Sequence, residues 1–594
     1  MAVIALRFAP APAFKPDPAD AVIASLAPRA TAGATTCEGP GWHGWVGASF
    51  ARELDSGQVF ATEDGVSVLF DGRLEPAPGA TIGDAARVLA AYRDGESNLL
   101  ALSGVFAFAL VDERRRCLWL GRDVTGQRPL WWTRHGYGAA AASEAHAALR
   151  LADKPVRAND AAVAAHFALR TPGGDAGFLA DVEELRPGML WRFDAVGVRS
   201  RRFHAPKMPG AWLRLADDAA YAQAWGEALA GAVDAALSAA HAPGLSLSGG
   251  IDSGALAACA GKRVVAWSWS LPAHPECDEG GFVRMACAAT GTEAHVFAGD
   301  AHMPLAHGDG PVHPDAPSAN AFRALREAQL ALAREGGCDV LLSGNYGDHA
   351  YPEADAWLFA LLRSRRATLL GAELRGRWRR GGAASLWRDP GWRAPLRRLV
   401  LPPARTLPQW LTESARDALA TAPREHDPAA GSAMNRRLQR VLLGRGASLD
   451  ASLDTFWSDR HGIELRYPYR DPRVLAFVLA LPSDVQWRHG QHKALTRRML
   501  AGRLPDELRL RPKSGSLLPF FRAAVRGTQR ARAEALLFAP DARWPAYARR
   551  DALERAWSAP TPTESDDLLL WQALSHERWW RALARENPML GSNA

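Results

Sequence analysis

The chain has 594 residues, 48% hydrophobic and 23% charged, which is too long for one domain and suits two large ones or three ordinary ones of a soluble globular protein. No stretch approaches the roughly 20 apolar residues of a membrane helix, and the start MAVIALRFAPAPAF lacks a basic region followed by a long apolar one, so neither a spanning protein nor a secretory signal is expected. A net charge of +7 over this length is mild and permits an anionic partner without arguing for one.

The six cysteines (37, 117, 259, 277, 287, 338) show no CxxC pairing or Cys/His metal spacing, so they read as free thiols of a reducing compartment, and the expected location is the cytoplasm. The basic residues are nearly all arginine. Only Lys15, Lys154, Lys207, Lys262, Lys493 and Lys513 are lysine.

In chain order, the first third is rich in short alternating apolar runs: VSVLFDGRL, GVFAFALVD, CLWLGRD and GMLWRFD. These predict strands and hairpins, with a helix at DAARVLAAYRDG. Residues 204–214, HAPKMPGAWLR, make a linker. From about 217 an Ala-rich helical pattern leads into strand, turn, helix and strand: GLSLS, GGIDS, GALAACAG, RVVAWSWS. A later apolar run, CDVLLSG, is another strand ending in a polar turn. Strands alternating with helices imply a parallel sheet, whose ligands sit beyond the carboxyl ends of the strands. Residues 360–446 are arginine-rich and read as helices, either a solvated face or a docking surface for an acidic or peptidic partner.

The turn LSLSGGIDSGALAACA (245–260) carries the first chemistry. Backbone N–H groups at the helix start, drawn close by Gly249 and Gly250, form a nest for an anion, and the Ser248 and Ser253 hydroxyls add donors. A carboxylate beside an anion site implies a cation between them, so Asp252 implies Mg²⁺. The structural alternative is a capped helix start. A second turn, LLSGNYGDHAY (341–351), brings Ser343, Gly344, Gly347 and a second carboxylate, Asp348, after another strand.

The pair resembles the synthetase domain of the asparagine synthetase family, which uses a pyrophosphate-loop ATP fold. That family's SGGxDS is matched at 248–253, and its LSGxGGDE at 342–349 with two departures: Tyr346 for a glycine and His349 for the glutamate. HGIELRYPYRDPRVLAFVLALP (461–482) is similar to the E-x-R-x-P block, and HKALTRRML (492–500) with LPDELRLRPKSG (504–515) to the K-x-x-L-R … R-x-K ending, so Lys493 and Lys513 fall where the pattern wants lysine. DGRLE (71–75), LSGVFAFALVDERRRCLWLGRDVTGQRPLWW (102–132), AASEAHAAL (141–149) and LRPGML (185–190) resemble the same family's amidotransferase domain.

The resemblance implies a multidomain α/β and α+β protein. Residues 1–205 would be an Ntn-type amidotransferase-like αββα sandwich, and 215–594 a pyrophosphate-loop, adenine nucleotide α-hydrolase-like parallel-sheet ligase domain with helical additions. It implies ATP and Mg²⁺, with Asp252 and Asp348 on the metal, Ser246, Trp269, Ser343 and Gly344 around adenine and ribose, and Lys493 and Lys513 on phosphate oxygens. Glu464 would hold or deprotonate the amine. Its structural alternative is an ion pair with Arg466.

In the family the glutaminase nucleophile is a cysteine directly after the initiator methionine. Here position 2 is Ala2, so an inactive amidotransferase domain is expected. Without glutamine-derived ammonia, the amine is expected to belong to the substrate, as in β-lactam synthetases and lasso-peptide macrolactam cyclases. The lasso cyclase is the favoured expectation, with a precursor core peptide as substrate and a leader-peptide protease as possible partner. Ammonia-dependent asparagine synthesis, a tRNA-modifying enzyme with the same loop and a catalytically dead binding module stay open, though the amidotransferase-like third argues against nucleic acid.

Overall fold

The structure is a computed structural model. It describes residues 2–9, 20–49, 57–76, 82–136, 138–203, 213–306, 308, 310–350, 367–388, 407–423, 439–482, 485, 492–511 and 516–586. Residues 204–212 of the expected linker, much of the arginine-rich stretch and Lys513 lie outside the described residues.

The first third builds two antiparallel six-stranded sheets. One runs β10 (Glu183–Glu184), β8 (Trp131–His135), β9 (Gly138–Ala142), β1 (Ala2–Phe8), β3 (Trp42–Ala48), β2 (Gly33–Gly39). The other runs β12 (Gly197–Arg202), β11 (Met189–Asp194), β7 (Cys117–Arg122), β6 (Gly104–Asp112), β5 (Val66–Leu74), β4 (Phe60–Glu63). The period of two along each strand sorts the apolar residues into layers. Ala2, Ile4, Leu6 and Phe8 of β1 join Ala107, Ala109 and Val111 of β6 in the core between the sheets. Val3 and Ala5 face the other way, under the helices Ala145–Leu151 and Asp160–Phe167. Phe106, Phe108 and Leu110 pack under the helix Asp84–Arg93 on the far side. This is the αββα sandwich that the resemblance implied.

The third sheet is wholly parallel, in the order β15 (Glu293–Ala298), β14 (Val265–Ser270), β13 (Pro243–Ser246), β16 (Val340–Ser343), β17 (Glu464–Arg466). The chain starts at β13, steps outward to β14 and β15, then returns to the other side of β13 with β16. A parallel sheet whose order reverses this way opens a crevice at the carboxyl ends of the two strands flanking the reversal. Both glycine turns stand there. β13 is buried on both faces by helices from Asp218–Leu237, Ile251–Ala260 and Arg323–Glu335.

The halves share one core. Val3, Trp131, Phe167 and Phe178 from the first third cluster with Leu449, Tyr547, Trp571 and Trp579 from the last. Phe167 stacks on Tyr547 at 5.6 Å between ring centroids, and Arg29 pairs with Glu144 at 2.8 Å and with Asp459 at 2.7 Å. Among the described residues no helix is long and apolar enough to cross a membrane.

Candidate active site

Strand β13 ends at Ser246, and the helix Ile251–Ala260 starts five residues later, with Gly250 as its N-cap. Gly249 takes the left-handed conformation, φ +73°, that lets the chain reverse so sharply. The Ser248 N–H donates to Ser253 Oγ at 3.2 Å, and the Gly250 N–H to Ser248 Oγ at 3.3 Å. The helix-start amides are thus gathered around two hydroxyls in a nest suited to phosphate oxygens.

The second turn packs directly on the first. Ser246 of β13 and Ser343 of β16 are parallel partners. A Cβ on Gly344 would stand 2.9 Å from Ser253 N, and one on Gly347 only 2.5 Å from Asp252 Cγ. Glycine there is what allows two loops to touch.

Ser246, Ser248, Gly250, Asp252, Ser253, Trp269, Ser343, Gly344 and Asp348 together line a cavity of about 630 Å³, the size of a nucleotide with part of a second substrate. Gly249 shapes the turn behind it. Lys493 donates to Asp252 Oδ2, and its ammonium lies 2.6 Å from Asp348 Oδ1. An ammonium therefore stands between the two carboxylates expected to share a metal. Two hard carboxylate donors stand beside the phosphate nest and Asp348 is half exposed, so the donor set fits a divalent cation beside bound phosphates. Lys493 itself is buried and holds φ +58°, a conformation that costs a non-glycine residue about 1–3 kcal/mol and clusters at functional sites.

Tyr346 occupies a position where the family has glycine, and the reason for that glycine is visible: its φ is +70°. The tyrosine is held in place by a hydrogen bond from its hydroxyl to Ala447 O at 3.2 Å, by the Arg470 guanidinium 4.8 Å over its ring, and by Tyr467 edge-on at 5.0 Å. Next to it, burial and then the Arg470 charge lower the pKa of His349, which stands in the glutamate position.

Glu464 corrects the sequence reading. It begins β17, opposite Val340 at the entry end of β16, whereas the cavity lies at the exit end beyond Ser343. Its carboxylate meets Arg466 at 2.6 Å and Arg73 and Arg128 at 3.4 Å each, and although burial opposes ionisation, these cations hold it well below the usual carboxylate range. The structural alternative was the right one.

Sequence reasoning missed the acids that do line the cavity. Asp450 and Asp454 lie one turn apart on the helix Arg445–Arg460. Burial, and then the Asp454 charge, push Asp450 up to about 6. The spacing of four in DASLD was a legible signal, overlooked for want of a matching motif. Arg326 was missed as well; it lines the cavity and donates to Ser246 Oγ at 2.7 Å.

Elsewhere, Glu144, His146 and Asp315 bring ligand atoms within 4.8 Å of one another. The Asp315 carboxylate accepts from the backbone N–H groups of Ala145 and His146, and Arg29 sits on Glu144, so these groups serve a helix start and an ion pair. In the first third, Ala2 is fully buried and its N–H donates to Asp71 Oδ1 at 2.9 Å. All six thiols are free, and all six are raised by burial, Cys37 to about 12.

Residues 224–581 match the family model of asparagine synthase, and residues 78–204 that of the glutamine amidotransferase domain. The chain belongs to the asparagine synthase family. Over 105 residues it is 33% identical to the glutamine-hydrolyzing asparagine synthetase 3 of Bacillus subtilis (strain 168), a match spanning 17% of this chain and 17% of that relative. Among solved structures, the allosteric regulatory enzyme of purine biosynthesis is 12% identical, over 63% of this chain and 78% of that one, at a TM-score of 0.25. Glutamine phosphoribosylpyrophosphate amidotransferase from B. subtilis, complexed with ADP and GMP, is also 12% identical, over 60% and 82%, at 0.24. Likenesses at that level carry no argument about this asparagine synthase family member, whose fold rests on its own three sheets.

Proposed function

We propose that the protein is an ATP-dependent, AMP-forming carbon–nitrogen ligase whose amine comes from the substrate itself, and that it closes the macrolactam of a lasso-type peptide, joining the N-terminal amine to an Asp or Glu side chain. The observation that carries the ligase reading is the contact between the two glycine turns, with Lys493 spanning Asp252 and Asp348 at their junction.

The chemistry runs in two steps. A substrate carboxylate oxygen bonds to the α-phosphorus of ATP as the bond to pyrophosphate breaks. The amine nitrogen then bonds to the acyl carbon, the bond from that carbon to the phosphate oxygen breaks with its electron pair leaving on AMP, and the amine gives up a proton. The helix-start amides and the Ser248 and Ser253 hydroxyls bind the pyrophosphate, whose charge grows as it departs. Asp252 and Asp348 would hold Mg²⁺, which would supply further neutralisation of that charge. Lys493 orients both carboxylates. Asp450, poised near neutrality, takes the amine proton in the role first expected of Glu464.

The substrate-amine reading is supported by the thiols. Burial raises all six thiols, and Ala2 offers a methyl group where the family's nucleophilic cysteine is expected. The identity to an asparagine synthetase favours a second reading, ammonia-dependent asparagine formation. Purified protein with ATP, Mg²⁺ and a candidate core peptide should remove one water from the peptide and release AMP and pyrophosphate. Release of ADP overturns adenylation. Asparagine made from aspartate and ammonia, with the peptide untouched, selects the second reading. A precursor peptide gene and a leader-protease gene next to this one would support the cyclase and its protease partner.

A further inference from the structure

A second cavity, of about 890 Å³, lies between the first third and the C-terminal helices. Among the described residues its wall carries six arginines, Arg150, Arg460, Arg532, Arg578, Arg581 and Arg585, and no carboxylate. They come from four separate helices: Ala145–Leu151, Arg445–Arg460, Arg530–Leu537 and Glu564–Glu586. Four elements contributing arginines to one space is a different matter from a single solvated basic face; one of the six, Arg581, also lies 3.7 Å from Asp541 Oδ1. Bonds to backbone carbonyls hold the arms of two of these groups in place: Arg532 donates to Leu305 O at 2.6 Å, and Arg578 to Gly308 O at 3.2 Å. Each guanidinium has five N–H donors, so a bond to one carbonyl does not exhaust it.

The wall is not uniformly charged. Val312, Pro314, Phe456 and Leu536 give apolar surface between the arginines. A compact inorganic anion has no use for that surface. A peptide with acidic side chains alternating with apolar ones matches both components, since guanidinium pairs bidentately with carboxylate. The cavity also adjoins the nucleotide site. Arg460 stacks over Phe456 at 5.6 Å, and Phe456 lies 4.4 Å from the ring of His313, which lines the active cavity. One aromatic pair separates the two spaces.

The geometry points to a second binding site, for an acidic, partly apolar peptide segment, placed so that a chain anchored there runs past Phe456 and His313 toward the adenylation cavity. This deepens the peptide-ligase reading and rests on it for the occupant, but its test needs neither ATP nor turnover, so failure here and failure to form AMP are separate results.

The full chain is titrated against a fluorescein-labelled decapeptide of alternating Glu and Leu, read by fluorescence anisotropy without nucleotide. Binding should occur, weaken with added salt, and be absent for the same peptide with Lys in place of Glu. Arg460→Glu with Arg581→Glu should weaken it by at least about tenfold, and the milder Arg460→Gln with Arg581→Gln by a smaller factor, which guards against misfolding by charge reversal. Arg115→Glu, on a distant exposed surface, should leave it unchanged. The site assignment is overturned if the wild-type chain does not bind, if both double variants bind as wild type does, or if Arg115→Glu weakens binding equally. Binding of inorganic pyrophosphate without binding of the peptide overturns the peptide assignment.

Discussion

Lys493 and Asp252 are joined by an ammonium–carboxylate bond across the mouth of the first glycine turn, and the same ammonium reaches Asp348. Lys493→Met removes the ammonium that the two carboxylates share. ATP–pyrophosphate exchange should fall by about two to three orders of magnitude, as for other lost groups that stabilise a charged transition state. Lys493→Arg should not restore it, because a planar guanidinium does not replace a compact ammonium in a buried site. Exchange rates, with far-ultraviolet circular dichroism as a check on folding, decide this. Exchange within threefold of wild type in the Met variant would remove Lys493 from the machinery.

Glu464→Gln separates structure from catalysis. Arg466 and Arg73 lose their paired anion in a buried site and Arg128 loses one of three, which costs about 3–5 kcal/mol when one partner of such a network is removed. Denaturant unfolding should report that loss, while the turnover of the protein that remains folded changes little. A large fall in kcat with unaltered stability would return Glu464 to the active site.

Asp450 should make activity and stability pull in opposite directions. Its pKa is raised from the ordinary 3.8 to about 6, so between those values the folded state keeps a proton that the unfolded chain has lost. Stability therefore falls as pH rises through that window, by at most about 3 kcal/mol. The rate, which needs the ionised base, rises through it with a midpoint near 6. Asp450→Asn should abolish the acid limb of the rate profile and flatten this part of the stability profile. A rate profile that keeps its acid limb in the variant assigns the base elsewhere.

Tyr346→Gly tests two opposing effects at one position. Glycine relieves the left-handed backbone, worth about 1 kcal/mol, but deletes a buried ring with its hydroxyl bond and its Arg470 contact, worth about 3–5 kcal/mol. The lost packing outweighs the relieved strain, so thermal unfolding should show net destabilisation even though the variant restores the family's residue. A stabilised variant would mean the ring contributes no packing.

The chemistry was legible wherever backbone geometry forces residue choice. Gly249 is required by a positive φ, and Gly344 and Gly347 by loop-to-loop approach, so the two turns could be read as a pair before their contact was seen. The apolar runs of the first third likewise announced strands and hairpins, while the sandwich came from the family resemblance, because strands buried on both faces, as β6 is, do not say which layers cover them. Glu464 was misread because E-x-R reports only that two residues alternate on a strand; which end of the sheet they occupy depends on register with β16, a long-range property. Asp450 and Asp454 were overlooked because a helix brings them to the cavity from residues that carried no motif.

The core shared by Phe167, Phe178, Tyr547 and Trp579 has a consequence for how this chain is built. Cutting the polypeptide near residue 210 would bare aromatic surface on both fragments, so neither should be produced in well-behaved form by itself, and the intact molecule should melt in one step. The amidotransferase-like fold thereby serves as a buttress for the synthetase half.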